Sequence, residues 1–137
     1  MKIVPISALS DNYIWLVHDE ESAVCVDPGD AAPVLALLQQ KQLDLDAIIL
    51  THHHNDHIGG VADLQAAYPD VAVYGPEDIA CVNQALKEGQ ELNLLGQVWR
   101  VWFVPGHTHN HLAYILRIEG KNRLHVFCGD TLFSAGC

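Results

Sequence analysis

"THHHNDHIGG", residues 51–60, holds four histidines and an aspartate within six consecutive positions. It lies in the middle of a 137-residue chain and is interrupted by Asn55 and Asp56, so it is not an expression tag. The apolar run "DAIILT" (46–51) before it reads as a buried strand. "DLQAAY" (63–68) after it reads as a helix that stops before Pro69. Side chains alternate in extended backbone, so His52 and His54 share one side and His53 takes the other. Asp56 and His57 follow where a helix begins, and the change of direction there aims both at a second position. Gly59 and Gly60 let that turn pack closely. The segment reads as H-x-H-x-D-H, with ligands for two ions a few ångströms apart.

Such a site needs donors from elsewhere. "VPGHTHNH" (104–111) offers His107 just after a Pro-Gly turn at a strand end, and "FCGDTLF" (127–133) offers Asp130 behind Gly129. A carboxylate has two oxygens, so Asp130 can bridge two cations. His52, His54 and His107 then complete one shell, while Asp56 and His57 begin the other. Mixed histidine and aspartate ligands suit two divalent ions, zinc first, with iron or manganese also compatible. His53 is expected to support the site from outside the ligand shell, and His109 and His111 to be turn or supporting residues. His18 and His125 read as ordinary half-buried histidines, and Asp27 as a turn former.

Working outward, "KIVPI" (2–6), "YIWLVH" (13–18) and "SAVCVD" (22–27) read as strands. "DPGD" (27–30) is a turn whose Asp30 caps a helix over "AAPVLALLQQ" (31–40), with Pro33 tolerated in the first turn. "VAVYG" (71–75) is a further strand, and "EDIACVNQALKEG" (77–89) a helix or helical turn ending at Gly89. "ELNLLG", "QVWRVWFV", "LAYILRIEG" and "RLHVFCGD" supply a second run of strands. The pattern suits one α/β or α+β domain over 1–137, a sandwich with helices outside two sheets. No GxGxxG follows the first strand, which argues against a dinucleotide fold.

Half of the residues are apolar and 18% are charged, as in a folded globular chain. A net charge of −10 with only seven Lys and Arg argues against nucleic acid as a partner. No apolar run approaches the roughly 20 residues of a membrane span. The N-terminus has no signal-peptide pattern, so a cytoplasmic location is expected. Cys25, Cys81, Cys128 and Cys137 are too scattered for a CxxC motif, and Cys25 and Cys128 are expected to be buried reduced thiols.

"THHHNDHIGG", "PGHT" and "GDTLF", in that order, resemble the metallo-β-lactamase superfamily. "SDNYIWLVHD", "VDPGD", "VYGPED" and "FCGDTLFSAGC" look closest to its glyoxalase II branch, the hydroxyacylglutathione hydrolases. The resemblance implies the αββα sandwich, one ion on His52, His54 and His107, the other on Asp56 and His57, and Asp130 between them. It implies hydrolysis of the small glutathione thioester S-D-lactoylglutathione to D-lactate and glutathione, a step in methylglyoxal detoxification. Two cations that acidify a water make a nucleophilic side chain unnecessary, with Asp56 placed to orient that water. No Ser-His-Asp or activated-cysteine signature is present.

The family continues beyond "SAGC" with a last histidine ligand and a helical domain that grips glutathione. The sandwich is therefore expected to be incomplete at its C-terminus, with a water, His111 or a neighbouring chain standing in for the missing ligand. Weak or absent activity and self-association through uncovered sheet are expected of this piece. "HTHNH" also departs from relatives that carry a glycine before the later histidine. The competing readings are a persulfide dioxygenase with one iron, a lactonase or a β-lactamase on the same fold. One of another class is a non-catalytic metal-binding or assembly fragment.

Overall fold

Ser22–Val26 is apolar at nearly every position because both of its faces are covered. Ala23 and Cys25 pack into a layer shared with helices, whereas Val24 and Val26 pack into a layer shared with a second sheet. That strand lies at the centre of the molecule, and the rest is built around it. The computed structural model describes residues 1–8, 12–52, 58–103, 112–118, 123–128 and 132–136.

Among the described residues, the first half contains β1 (Lys2–Ala8), β2 (Asn12–His18), β3 (Ser22–Val26), α1 (Ala31–Lys41), β4 (Asp44–Ile49), α2 (Val61–Ala67), β5 (Ala72–Gly75) and β6 (Gln84–Ala85). The six strands form one mixed sheet in sequence order. β1, β2 and β3 pair antiparallel, and β3 through β6 pair parallel. Parallel neighbours need crossovers, and α1 and α2 supply those from β3 to β4 and from β4 to β5. The second half contains β7 (Glu91–Leu94), β8 (Gln97–Phe103), β9 (Leu112–Arg117), β10 (Arg123–Phe127) and β11 (Leu132–Gly136), an antiparallel sheet in the order β11-β10-β9-β8-β7.

The helix α1 starts where expected. The Asp30 side chain accepts a hydrogen bond from the Ala32 amide at 3.2 Å, and the helix ends at Gln42, whose left-handed φ of 55° closes the last turn. Its Val34 and Leu38 are fully buried against the sheet, beside Leu64 of α2. Between the two sheets lies a second core, with Val17, Ile49, Trp99, Tyr114 and Phe127. The architecture is thus α/β, two packed sheets with both described helices on the outer face of the first.

One expectation of secondary structure is corrected. Residues 77–89 do not form a helix: after one turn at Ile79–Val82 the chain extends into β6, parallel to β5. Asn83 decides this, because its amide bonds the Val73 carbonyl at 3.0 Å and its side-chain oxygen accepts from the Val73 amide at 2.9 Å. A sheet edge nearby offers those bonds only in the folded molecule, and they override the local helical preference. Residues 132–136 pair antiparallel with β10. Cys25 is fully buried, but Cys128 is only half-buried.

Gly60 is required where it stands. A Cβ there would lie 2.6 Å from the Ala31 amide nitrogen and 2.7 Å from the Pro28 carbonyl oxygen, backbone atoms that cannot give way. Its own amide donates to that carbonyl at 2.7 Å. The "DPGD" turn and the start of α2 are thereby pressed together.

Candidate metal centre

The strand ends that carry the candidate ligands converge. β3 and β4 are parallel neighbours, so Asp27 leaves one beside the exit of the other, and its amide donates to the Ile49 carbonyl at 3.0 Å. From the opposite sheet, the Leu112 amide donates to the Thr51 carbonyl at 2.7 Å. Leu112 pairs with Phe103, and Tyr114 with Phe127. The described residues that flank segments 53–57, 104–111 and 129–131 therefore lie at one end of the sandwich. Of the candidate ligands, His52 is among the described residues; His54, Asp56, His57, His107 and Asp130 lie outside them, as do His53, His109 and His111.

His52 is 6% exposed and is held by a chain of hydrogen bonds. Its Nδ1 lies 2.8 Å from Thr51 Oγ1, and that hydroxyl lies 2.6 Å from Asp27 Oδ2. The second carboxylate oxygen, Asp27 Oδ1, accepts from the Thr51 amide at 2.8 Å. An ionised carboxylate can only accept, so the Thr51 hydroxyl spends its proton on Asp27. Its lone pair is then left for the Nδ1–H of His52, and the imidazole lone pair falls on Nε2. This assignment follows from the hydrogen-bond directions, and it is the tautomer that a metal ion requires of a histidine. A buried imidazole with Nδ1 held by a hydroxyl–carboxylate relay fits a divalent cation.

Sequence reading assigned Asp27 to its turn. It does form one, with φ at 52° and its carbonyl accepting from the Gly29 amide at 2.8 Å. Its carboxylate, 1% exposed, does more, and neither that nor the role of Thr51 was anticipated. The only signal was positional: an aspartate just after one strand and a Thr-His pair just after the next become neighbours once those strands run parallel.

The same buried charge marks its surroundings. Burial, reinforced by Asp27, pushes the Cys25 thiol well above the ordinary range, so it stays protonated and inert. Burial and Asp27 likewise raise the Tyr114 phenol, which keeps its proton and donates a hydrogen bond to the Leu50 carbonyl at 2.5 Å. His18 lies at the opposite end of β2 from the site, with Nδ1 2.8 Å from the Asp19 carbonyl, and takes no part.

Two sheets with their chemistry at one end, and a histidine cluster leaving a parallel strand, agree with a direct match of residues 9–137 to the metallo-β-lactamase superfamily model. The chain belongs to that superfamily, and membership implies divalent-metal binding. It is 50% identical to the hydroxyacylglutathione hydrolases of Vibrio campbellii and of Yersinia enterocolitica, over all of this chain and 53% of each relative. It thus spans about half the length of the curated relatives it matches. Among solved structures, BLEG-1 B3 metallo-β-lactamase superposes with a TM-score of 0.75 at 23% identity, over 84% of this chain and 67% of that one. ETHE1 from Myxococcus xanthus does so with a TM-score of 0.71 at 28% identity, over 85% and 54%.

Proposed function

We propose that this chain supplies the binuclear metal centre of a hydroxyacylglutathione hydrolase, which cleaves S-D-lactoylglutathione to D-lactate and glutathione in methylglyoxal detoxification. The observation that carries the proposal is the buried His52, set in its metal-binding tautomer by Thr51 and Asp27. Half-identity to named hydroxyacylglutathione hydrolases along the whole chain supports the choice of substrate. On this reading His52, His54 and His107 hold one ion, Asp56 and His57 the other, and Asp130 contributes to both. We take zinc as the metal, since imidazole and carboxylate ligands suit it, as they also suit iron and manganese. A cytoplasmic location goes with the proposal, because glutathione is the thiol pool of that compartment.

When bound, the two cations supply Lewis acidity, polarising the thioester carbonyl and acidifying water. The protein's own part is orientation. Asp27 and Thr51 hold the proton of His52 on Nδ1 and fix the ring plane. On the same reading Asp56 would orient the attacking water, and Asp130 would serve both ions. No residue of this chain is assigned to the glutathionyl moiety.

The test is metal content and thioesterase activity of protein purified without chelator, beside a His52→Ala variant. Two zinc ions per chain in the wild type are expected, with loss in the variant of at least one ion and of whatever thioesterase activity the wild type shows. A single iron with oxygen uptake on a persulfide substrate would replace the hydrolase with a dioxygenase. A wild type that keeps its fold but takes up no metal would leave only a scaffold role.

A further inference from the structure

The exit of β4 is pinned from the opposite sheet at two successive peptides. The ladder between β4 and β5 ends at Ile49, one residue before Leu50. The Leu50 amide still reaches the Tyr74 carbonyl at 2.9 Å, but its carbonyl turns to the Tyr114 hydroxyl at 2.5 Å. The next carbonyl, that of Thr51, accepts from the Leu112 amide at 2.7 Å. Leu112 and Tyr114 stand two apart on β9, on the face that packs against the first sheet. One strand of the second layer thereby holds the peptide planes on both sides of the Thr51 α-carbon, immediately before His52.

Tyr114 is fully buried in the apolar core between the sheets, beside its cross-strand partners Val101 and Phe127. A phenylalanine would fill that space with nearly the same shape. Burying a hydroxyl in an apolar core is unfavourable unless it gains a partner, and here the partner is a carbonyl at the root of the metal-holding segment. We infer that Tyr114 is a positioning residue for the metal centre, fixing through the Leu50 carbonyl the direction in which His52 leaves the strand. The inference rests on the reading of His52 as a ligand. It adds that the second sheet, through β9, sets how well the first sheet presents that ligand.

Zinc affinity, measured by competition with a chromophoric chelator, tests this in Tyr114→Phe, Leu116→Ala and His52→Ala beside the wild-type protein. Tyr114→Phe is expected to weaken zinc binding roughly ten-fold, as loss of a partner outside the ligand shell does. Leu116→Ala removes buried volume from the same strand without touching the clamp, so it should lower Tm and leave zinc affinity within about two-fold. Unchanged affinity in Tyr114→Phe, or an equal loss in Leu116→Ala, would overturn the inference. Zinc binding by His52→Ala at wild-type strength would instead overturn the metal reading itself.

A second measurement needs only the wild type and decides the matter if Tyr114→Phe does not fold. By reciprocity, zinc must stabilise whatever stabilises its site. Adding zinc should therefore slow hydrogen exchange of the Leu112 amide about ten-fold more than that of Val17, which lies between β1 and β3 away from the clamp. Equal slowing at both amides would count against the clamp.

Discussion

The two sheets bury their inner faces against one another, but their outer faces are unlike. On the six-stranded sheet, α1 and α2 cover Ile14, Leu16, Ile48 and Val73, and every one of these is almost wholly buried. On the five-stranded sheet, among the described residues, no helix covers the outer face. Val98 is 45% exposed and Trp102 53%, beside a groove of about 490 Å³ that also takes in Arg100, Ile115 and Leu124. One face is a core, the other a surface that still carries core-like residues. Since burying a large apolar side chain contributes about 1.5–3 kcal/mol, the first sheet draws stability from both faces and the second from one. The candidate metal centre lies where the two meet, with His52 rooted in the well-covered sheet and Leu112 and Tyr114 reaching in from the other.

Three substitutions can break that contrast. The largest effect is expected beneath α1. Leu38→Ala leaves a cavity under a helix that packs on the sheet, and should lower unfolding free energy by about 2–5 kcal/mol in urea denaturation. A loss below about 1 kcal/mol would place the helical layer outside the cooperative core. Gly60→Ala comes next, at about 1–3 kcal/mol, because the new methyl meets the backbone of Pro28, Asp30 and Ala31. A neutral result in the same denaturation series would mean that the turn and α2 can part without cost. Trp102→Ser, on the bare face, should change stability by no more than about 0.5 kcal/mol. The same change should reduce any concentration-dependent self-association seen by light scattering. Should it instead destabilise the protein as much as Leu38→Ala, the outer face of the second sheet is covered in solution and the contrast disappears.

The elements of the first sheet were largely readable. β1, β2, β3, β4 and α1 match runs recognisable from alternation, β-branched content and the Asp30 cap, because those signals are local and tertiary packing agrees with them. Residues 77–89 were misread for the opposite reason. Their composition favours a helix, but the vacant edge of β5 offers Asn83 a backbone ladder that no local signal announces. In the candidate site, spacing along one segment singled out His52, and the structure adds its burial and its bond to Thr51.

Asp27, Thr51 and Tyr114 were not legible as parts of the site. Asp27 and Thr51 are 24 positions apart, and Tyr114 and Leu50 are 64 apart. Spacing along the chain determined which segment is the candidate for holding metal and which family's pattern it follows. Only the pairing of β3 with β4, and the docking of β9 across the sandwich, decided which residues orient His52. Hydrogen bonds of that kind join groups that meet through the fold, so no reading of neighbours in the chain can supply them.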